Sequence, residues 1–329
     1  MNNLTDISRY SLDRLVKHKA VLIFLIKILI AAGLLFFLIS KINPGELIIA
    51  FTNAKLHFLL LSFSLLALNL YLQFKKWEIT CSNILEERDK KKIIRSLFAG
   101  LSGGAFTPAR IGEYFGRAVE FKNKPLLQIT VATFIDKFYP LVIVAFIGSV
   151  SSILFLHFYY SVSLYLTLSL FILLFAIFYL LIYLMLRPGL MDIILEKIFP
   201  KDEKYKSLFE ASKYFGTIDR KYSMNMVLLS LSFYLCYIFQ YAFLVAAFSE
   251  NFHPIRFIWA GNLVMFAKTL IPSISFAELG VREGASIYFL GQMGEISAVA
   301  FNAAITLFFI NVLLPSVAGL FFLFKKDNA

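Results

Sequence analysis

From Ser161 to Leu186 the chain carries no charged residue, and an apolar stretch of that length, folded as a helix, spans the roughly 30 Å hydrocarbon core of a bilayer. Five further runs are nearly as apolar: Ala20 to Ser40, His57 to Phe74, Ile129 to Leu156, Ser223 to Ser249 and Ile296 to Phe324. Such a chain needs lipid as its solvent, because charged residues fill only 16% of its positions and hydrophobic ones 59%, against roughly a quarter charged in soluble domains. The first run is too long for a secretory core segment and no small-residue cleavage site follows it, so it reads as a retained helix. The expected fold is all-α, a polytopic membrane bundle forming a single transmembrane domain over residues 1–329.

Orientation follows from lysine and arginine. Arg9, Arg14, Lys17 and Lys19 precede the first run; Lys75, Lys76, Arg88, Lys90, Lys91, Lys92 and Arg95 follow the second; Lys197, Lys201, Lys204, Lys206, Lys213, Arg220 and Lys221 fall between residues 187 and 222. If the six runs cross and nothing else does, all of these share one side with Lys325 and Lys326. The positive-inside rule then makes that side cytoplasmic, with both termini on it and the inner membrane as location. The formal charge of +11 is thereby accounted for without nucleic acid. Residues 1–19 and 187–222 become a cytoplasmic segment and linker.

Two further apolar stretches, Ile94 to Phe121 and Phe257 to Gly291, are interrupted by glycine, proline and charge. Irregular backbone at membrane depth survives only inside protein or beside water, so both are expected to be re-entrant hairpins lining a cavity. In each, a proline (Pro108, Pro272) precedes a glycine (Gly116, Gly280) by eight positions, with a glutamate (Glu113, Glu278) before the glycine and an arginine (Arg117, Arg282) just after it. Residues 57–156 and 223–324 thus read as two repeat units entering from opposite sides, an inverted repeat of the kind that builds secondary transporters.

Charge at membrane depth marks function unless it is internally paired. The substrate-binding candidates are Arg110, Glu113, Arg117, Asp136, Glu278, Arg282 and Glu283. Internal neutralisation would join Glu113 to Arg110 or Arg117, and Glu278 or Glu283 to Arg282; function would have an arginine fork meet a phosphate or carboxylate. Both hold if one arginine is paired and another is not. Arg117 and Arg282 are the expected headgroup contacts, with Glu113 and Glu283 as their partners. Asp136 sits four residues before Pro140, whose missing N–H frees the Asp136 carbonyl. Its carboxylate then pairs with Lys137 or an arginine, holds a cation or proton, or orients a substrate-binding arginine. Pro315 frees the Asn311 carbonyl in the same way, and Asn302 with Thr306 forms a polar i,i+4 pair.

Other chemistry lacks its residues. Gly100, Gly103 and Gly104 follow no strand and precede no Lys-Ser/Thr pair, so they suit close helix packing rather than phosphate binding, and no P-loop exists to drive an ATP pump. Cys81 and Cys236 read as free thiols. The histidines lack metal spacing, and no cofactor is expected. Asn69, Gln73, Gln240, Asn262 and Lys268 are each read as helix-packing contacts.

At the two hairpins the chain resembles the flippase-like family defined by the transmembrane region of lysylphosphatidylglycerol synthases. The shared residues are Thr107-Pro108, Gly112-Glu113 and Arg117, then Pro272 and Gly280-Val281-Arg282-Glu283, and later Asn311, Pro315 and Gly319. Ala277-Glu278 stands where many members have paired glycines. Five residues follow Phe324, in place of the aminoacyl-transfer domain of the synthases. The resemblance therefore implies a stand-alone protein that moves or binds lipid. The leading reading is a transporter or flippase of an anionic amphiphile, a phospholipid or a polyprenyl-phosphate-linked lipid, and not an enzyme. An intramembrane enzyme acting on lipid headgroups, or a non-catalytic partner of a lipid-modifying enzyme, are the alternatives.

Overall fold

A computed structural model of the protein describes residues 44–107, 110–185, 206–216, 218–271 and 279–324, with Phe36 and Lys197 besides. Every regular element among the described residues is helical: α1 (Pro44–Thr52), α2 (Leu56–Thr80, prolonged by a π-helical turn over Cys81–Leu85), α3 (Lys90–Phe106), α4 (Gly112–Ala118), α5 (Leu126–Tyr160), α6 (Leu164–Met185), α7 (Lys206–Phe215), α8 (Arg220–Phe248), α9 (Pro254–Leu270), α10 (Val281–Gln292), α11 (Ser297–Phe308) and α12 (Leu314–Phe324). A second π turn, Phe309–Leu313, joins α11 to α12. It widens the helix just before Pro315, which has no N–H to give to the preceding turn.

Among the described residues, five helical segments are long and apolar enough to cross a membrane: Leu56–Leu85, Leu126–Tyr160, Leu164–Tyr183, Arg220–Phe248 and Ser297–Phe321. They coincide with five of the six apolar runs. Of the sixth, Ala20 to Ser40, only Phe36 is among the described residues. One boundary is corrected. The second run continues as helix to Leu85, so Lys75 and Lys76, assigned from sequence to the segment after it, lie within α2, with Lys76 buried. The linker also carries structure, since α7 packs Ala211, Tyr214 and Phe215 on a core cluster containing Trp77 and Tyr222.

Helix starts follow capping chemistry. Asp89 accepts the N–H of Lys91 at 2.9 Å before α3, and Asp219 accepts that of Tyr222 at 2.6 Å before α8, each satisfying a donor with no partner inside the helix. Pro254 opens α9, at a position where its missing N–H costs nothing.

The two broken stretches are helical hairpins. Thr107 closes the first: its hydroxyl donates to the Gly103 carbonyl at 2.8 Å and accepts the Gly112 N–H at 2.7 Å. The arms α3 and α4 run antiparallel at backbone contact, so that a Cβ on Gly103 would fall on the Gly112 carbonyl and one on Gly116 on the Ala99 carbonyl. The spacing-based reading of Gly100, Gly103 and Gly104 as packing residues is thus borne out. In the second hairpin Arg256, at the start of α9, donates to the Met293 carbonyl just past α10.

The same order occurs twice, a long helix, a 17-residue arm, a shorter arm and a closing helix: α2, α3, α4, α5 and then α8, α9, α10, α11–α12. The leading helices α2 and α8 pack on each other, while each long arm packs on the closing helix of the other unit, α3 on α12 and α9 on α5. The second unit is rich in buried alanine, with Ala246, Ala247, Ala260, Ala300, Ala303 and Ala304 on α8, α9 and α11 all 0% or 1% exposed. Small side chains let helices approach closely where lipid offers no hydrophobic drive.

Gly103→Ala, which would press a methyl into backbone, is expected to cost about 1–3 kcal/mol of stability. Gly284→Ala in α10, with nothing near its Cβ position, should gain about 0.5–1 kcal/mol. Thermal unfolding of the purified variants in detergent measures both; equal melting temperatures would contradict the hairpin packing.

Candidate functional site

Glu113 and Arg117 lie one turn apart on α4 and face the same way. The Arg117 guanidinium donates to Glu113 Oε1 at 2.8 Å through one terminal nitrogen and to Asp136 Oδ2 on α5 at 2.9 Å through the other. It also lies over the Trp77 ring of α2 at 4.1 Å. Trp77 is held in turn, its indole N–H donating to Ser96 Oγ at 3.3 Å and Ser96 donating to the Arg117 carbonyl at 2.9 Å. Three helices thus converge on one cation.

More cations surround the same carboxylates. Lys76 Nζ lies 3.6 Å from Asp136 Oδ1, Lys137 Nζ 2.6 Å from Glu113 Oε1 and Arg110 Nε 3.3 Å from Glu113 Oε2. The side chains of Arg117, Glu113, Asp136 and Lys76 are 1–4% exposed, whereas Arg110 and Lys137 are 33% and 36% exposed. Desolvating each ion costs several kcal/mol, repaid only by close opposite charge and hydrogen bonds. Arg110 reaches its place with a left-handed backbone, φ 56°, uncommon outside glycine.

Five of these six residues line a cavity of about 410 Å³: Lys76, Arg110, Arg117, Asp136 and Lys137. Lys268 joins them, its ammonium 5.7 Å from the Tyr237 ring centre. The remaining wall is largely apolar, from Leu101, Pro140, Val144, Phe233, Met265 and Val312, and the lining residues Leu141 and Ile271 are 47% and 48% exposed. An amide chain bounds the cavity on the α2 side: Gln73 donates to Asn69 at 2.7 Å, and Asn69 and Asn311 both donate to Gln240 Oε1, at 3.5 and 2.9 Å. Asn69 and Gln240 are helix-packing contacts, as expected.

Of the residues singled out from sequence, Arg110, Glu113, Arg117 and Asp136 come together in this cluster. Arg282 and Glu283 are fully buried elsewhere and do not line the cavity. The Arg282 guanidinium lies 5.6 Å from the Phe308 ring centre, and Glu283 accepts the Gly280 N–H at 2.7 Å, capping α10 where Gly280 takes φ 93°. Glu278 lies outside the described residues. Lys137 pairs with Glu113 rather than with its neighbour Asp136, because successive residues on a helix point apart. Asn302 likewise finds the Leu47 carbonyl on α1 at 3.0 Å. Lys76, Lys137 and Lys268 were missed as wall residues. A signal for Lys76 exists: Asn69, Gln73 and Lys76 stand four and three apart, a polar stripe on one helix face. Both cysteines are free and buried, and no group of metal-ligating side chains occurs among the described residues.

A model of the family described as the lysylphosphatidylglycerol synthase TM region matches residues 24–319. The chain belongs to that family, as its hairpin motifs implied. No curated protein matches it.

Removing one carboxylate leaves Arg117 and Lys76 buried without a shared partner. Asp136→Asn is therefore expected to destabilise by about 3–5 kcal/mol, whereas Arg110→Ala at the rim should cost under about 1 kcal/mol. Comparable melting temperatures for the two variants would show that Asp136 does not hold the cluster.

Proposed function

We propose that this member of the lysylphosphatidylglycerol synthase TM-region family moves a lipid with an anionic headgroup between membrane leaflets, using the cavity as the headgroup station. The observation that carries this reading is the two-sided cavity wall, with Lys76, Arg110, Arg117 and Lys137 along one part and apolar side chains along the rest. A phosphate offers the charge and oxygen geometry that arginine and lysine favour. A cavity of about 410 Å³ suits a headgroup, and the exposed apolar residues Leu141 and Ile271 among its lining give acyl chains a path to stay in lipid. The family description names a phospholipid-making enzyme, which supports lipid as the ligand class.

Transport fits better than catalysis. A general acid or base must exchange its proton in step with the reaction, yet Glu113 contacts three cations and Asp136 two. Such carboxylates are counter-ions.

In this reading six helices cross, both termini are cytoplasmic, the location is the inner membrane and the α3–α4 and α9–α10 hairpins are re-entrant from opposite sides. The repeated element order and the exchange of long arms between closing helices support an inverted repeat.

In proteoliposomes the protein is expected to translocate headgroup-labelled phosphatidylglycerol faster than phosphatidylcholine. Lys137→Ala should slow the former roughly tenfold, the loss of one charge-assisted hydrogen bond worth about 1.5 kcal/mol. Equal rates for the two lipids would refute the anionic-headgroup reading. For topology, Lys213→Cys in a background lacking Cys81 and Cys236 should react with an impermeant maleimide only after the membrane is opened; labelling of intact cells reverses the orientation.

A further inference from the structure

We propose that Arg110, Arg117 and Lys137 form the phosphate site of the cavity, and that the Glu113 carboxylate is its resident counter-anion, which an arriving headgroup must displace. This rests on the headgroup-station reading above and assigns the atoms that the station uses.

Three cations from three positions, the hairpin turn, α4 and α5, converge on one carboxylate: Arg117 Nη2 at 2.8 Å, Lys137 Nζ at 2.6 Å and Arg110 Nε at 3.3 Å. One carboxylate carries one negative charge and two oxygens. A lipid phosphodiester matches Glu113 in charge and in free oxygens, and a phosphate monoester exceeds it, with three oxygens and nearly twice the charge, so either can take the donors that Glu113 holds. Arg117 also keeps a donor in reserve, because its Nε is buried without an acceptor.

The placement makes Glu113 a competitor. Its three cationic partners line the cavity while Glu113 itself does not. The carboxylate therefore holds the donors from behind, and a phosphate arriving from the cavity bids for the same N–H groups. The glycine face of α3 makes room for this arrangement. A Cβ on Gly104 would lie 3.4 Å from both Arg110 Nε and Glu113 Oε2, and one on Gly100 only 2.6 Å from Arg117 Cγ. Asp136 remains on Arg117 throughout, through the other terminal nitrogen, so Arg117 stays neutralised when Glu113 lets go. Through the exchange, Asp136 and the arriving phosphate together keep the cavity's cations compensated.

The test uses the full chain in detergent and glutamine at one position. Glu113→Gln keeps the shape and an acceptor for Arg117 while removing the competing charge. By titration calorimetry with mixed micelles, Glu113→Gln should bind phosphatidylglycerol roughly tenfold more tightly than wild type, and adding Lys137→Gln should reverse the gain. A folded Glu113→Gln variant that binds no more tightly than wild type overturns the exchange. If Glu113→Gln does not fold, Glu113→Asp serves, because a carboxylate one methylene shorter withdraws from Lys137 and should also tighten binding; no gain there overturns the proposal equally. Parallel titrations with inorganic phosphate and glycerol phosphate separate the two readings. Tighter binding of these soluble anions by Glu113→Gln, with no preference for phosphatidylglycerol over phosphatidylcholine, supports the phosphate site while removing the lipid reading. A phosphatidylglycerol preference in wild type that Glu113→Gln leaves unchanged removes the exchange alone.

Discussion

The burial of Arg117 is the constraint on which the first half of the molecule depends. A guanidinium 1% exposed in a bundle built for lipid is tolerable only with its charge answered on the spot. The answers come from Glu113 on its own helix, Asp136 on α5 and the Trp77 ring on α2. Helix α4 spans only Gly112–Ala118, too short to cross a bilayer or to be stable alone. Its depth and rotation are set by Arg117 on one face and by glycine contacts with α3 on the other. Since Lys76 and Lys137 answer the same carboxylates, fixing Arg117 also fixes the cavity wall.

Most of the fold was legible because it is written in composition. Apolarity sustained from Ser161 to Leu186 needs no partner to be read as a crossing, and the Thr107–Gly116 and Ile271–Gly280 interruptions announce hairpins because proline and glycine act on their own backbone. The lower end of α2 was not legible. Lys75 and Lys76 read as loop by local polarity, and only a carboxylate on another helix, Asp136, explains a lysine inside the bundle. Pairing across helices is tertiary information. For the same reason Asp136 was correctly flagged by its charge and by Pro140, while its partners, Arg117 and Lys76 rather than Lys137, emerged only from the packing. Among the open alternatives for Asp136, the geometry shows the ion pair with an arginine, Arg117.

The two hairpins share a residue order, with a glutamate and an arginine four apart in each, Glu113 with Arg117 and Glu278 with Arg282. In the first, glutamate and arginine stand four apart on α4 and meet on one face. In the second, Glu283 accepts the Gly280 backbone N–H and the Arg282 guanidinium lies 5.6 Å from the Phe308 ring centre, while Glu278, which matches Glu113, lies outside the described residues. Of the two motif arginines, Arg117 lines the cavity described above and Arg282 does not.

That asymmetry also locates where the bundle gives way most cheaply. The ionic cluster joins α2, α4 and α5, all in the first unit, and breaking one of its buried pairs costs several kcal/mol. The units meet along α2 and α8, as well as where α3 packs on α12 and α9 on α5, and beside α2 and α8 Asn69, Gln240 and Asn311 share uncharged hydrogen bonds. Polar contacts of that kind in a membrane are worth about 0.6 kcal/mol on average. A displacement of one unit against the other therefore costs far less at the amide seam than within the cluster, and because the seam borders the cavity through Asn69 and Asn311, any such displacement changes the cavity while leaving Arg117 and its carboxylates together.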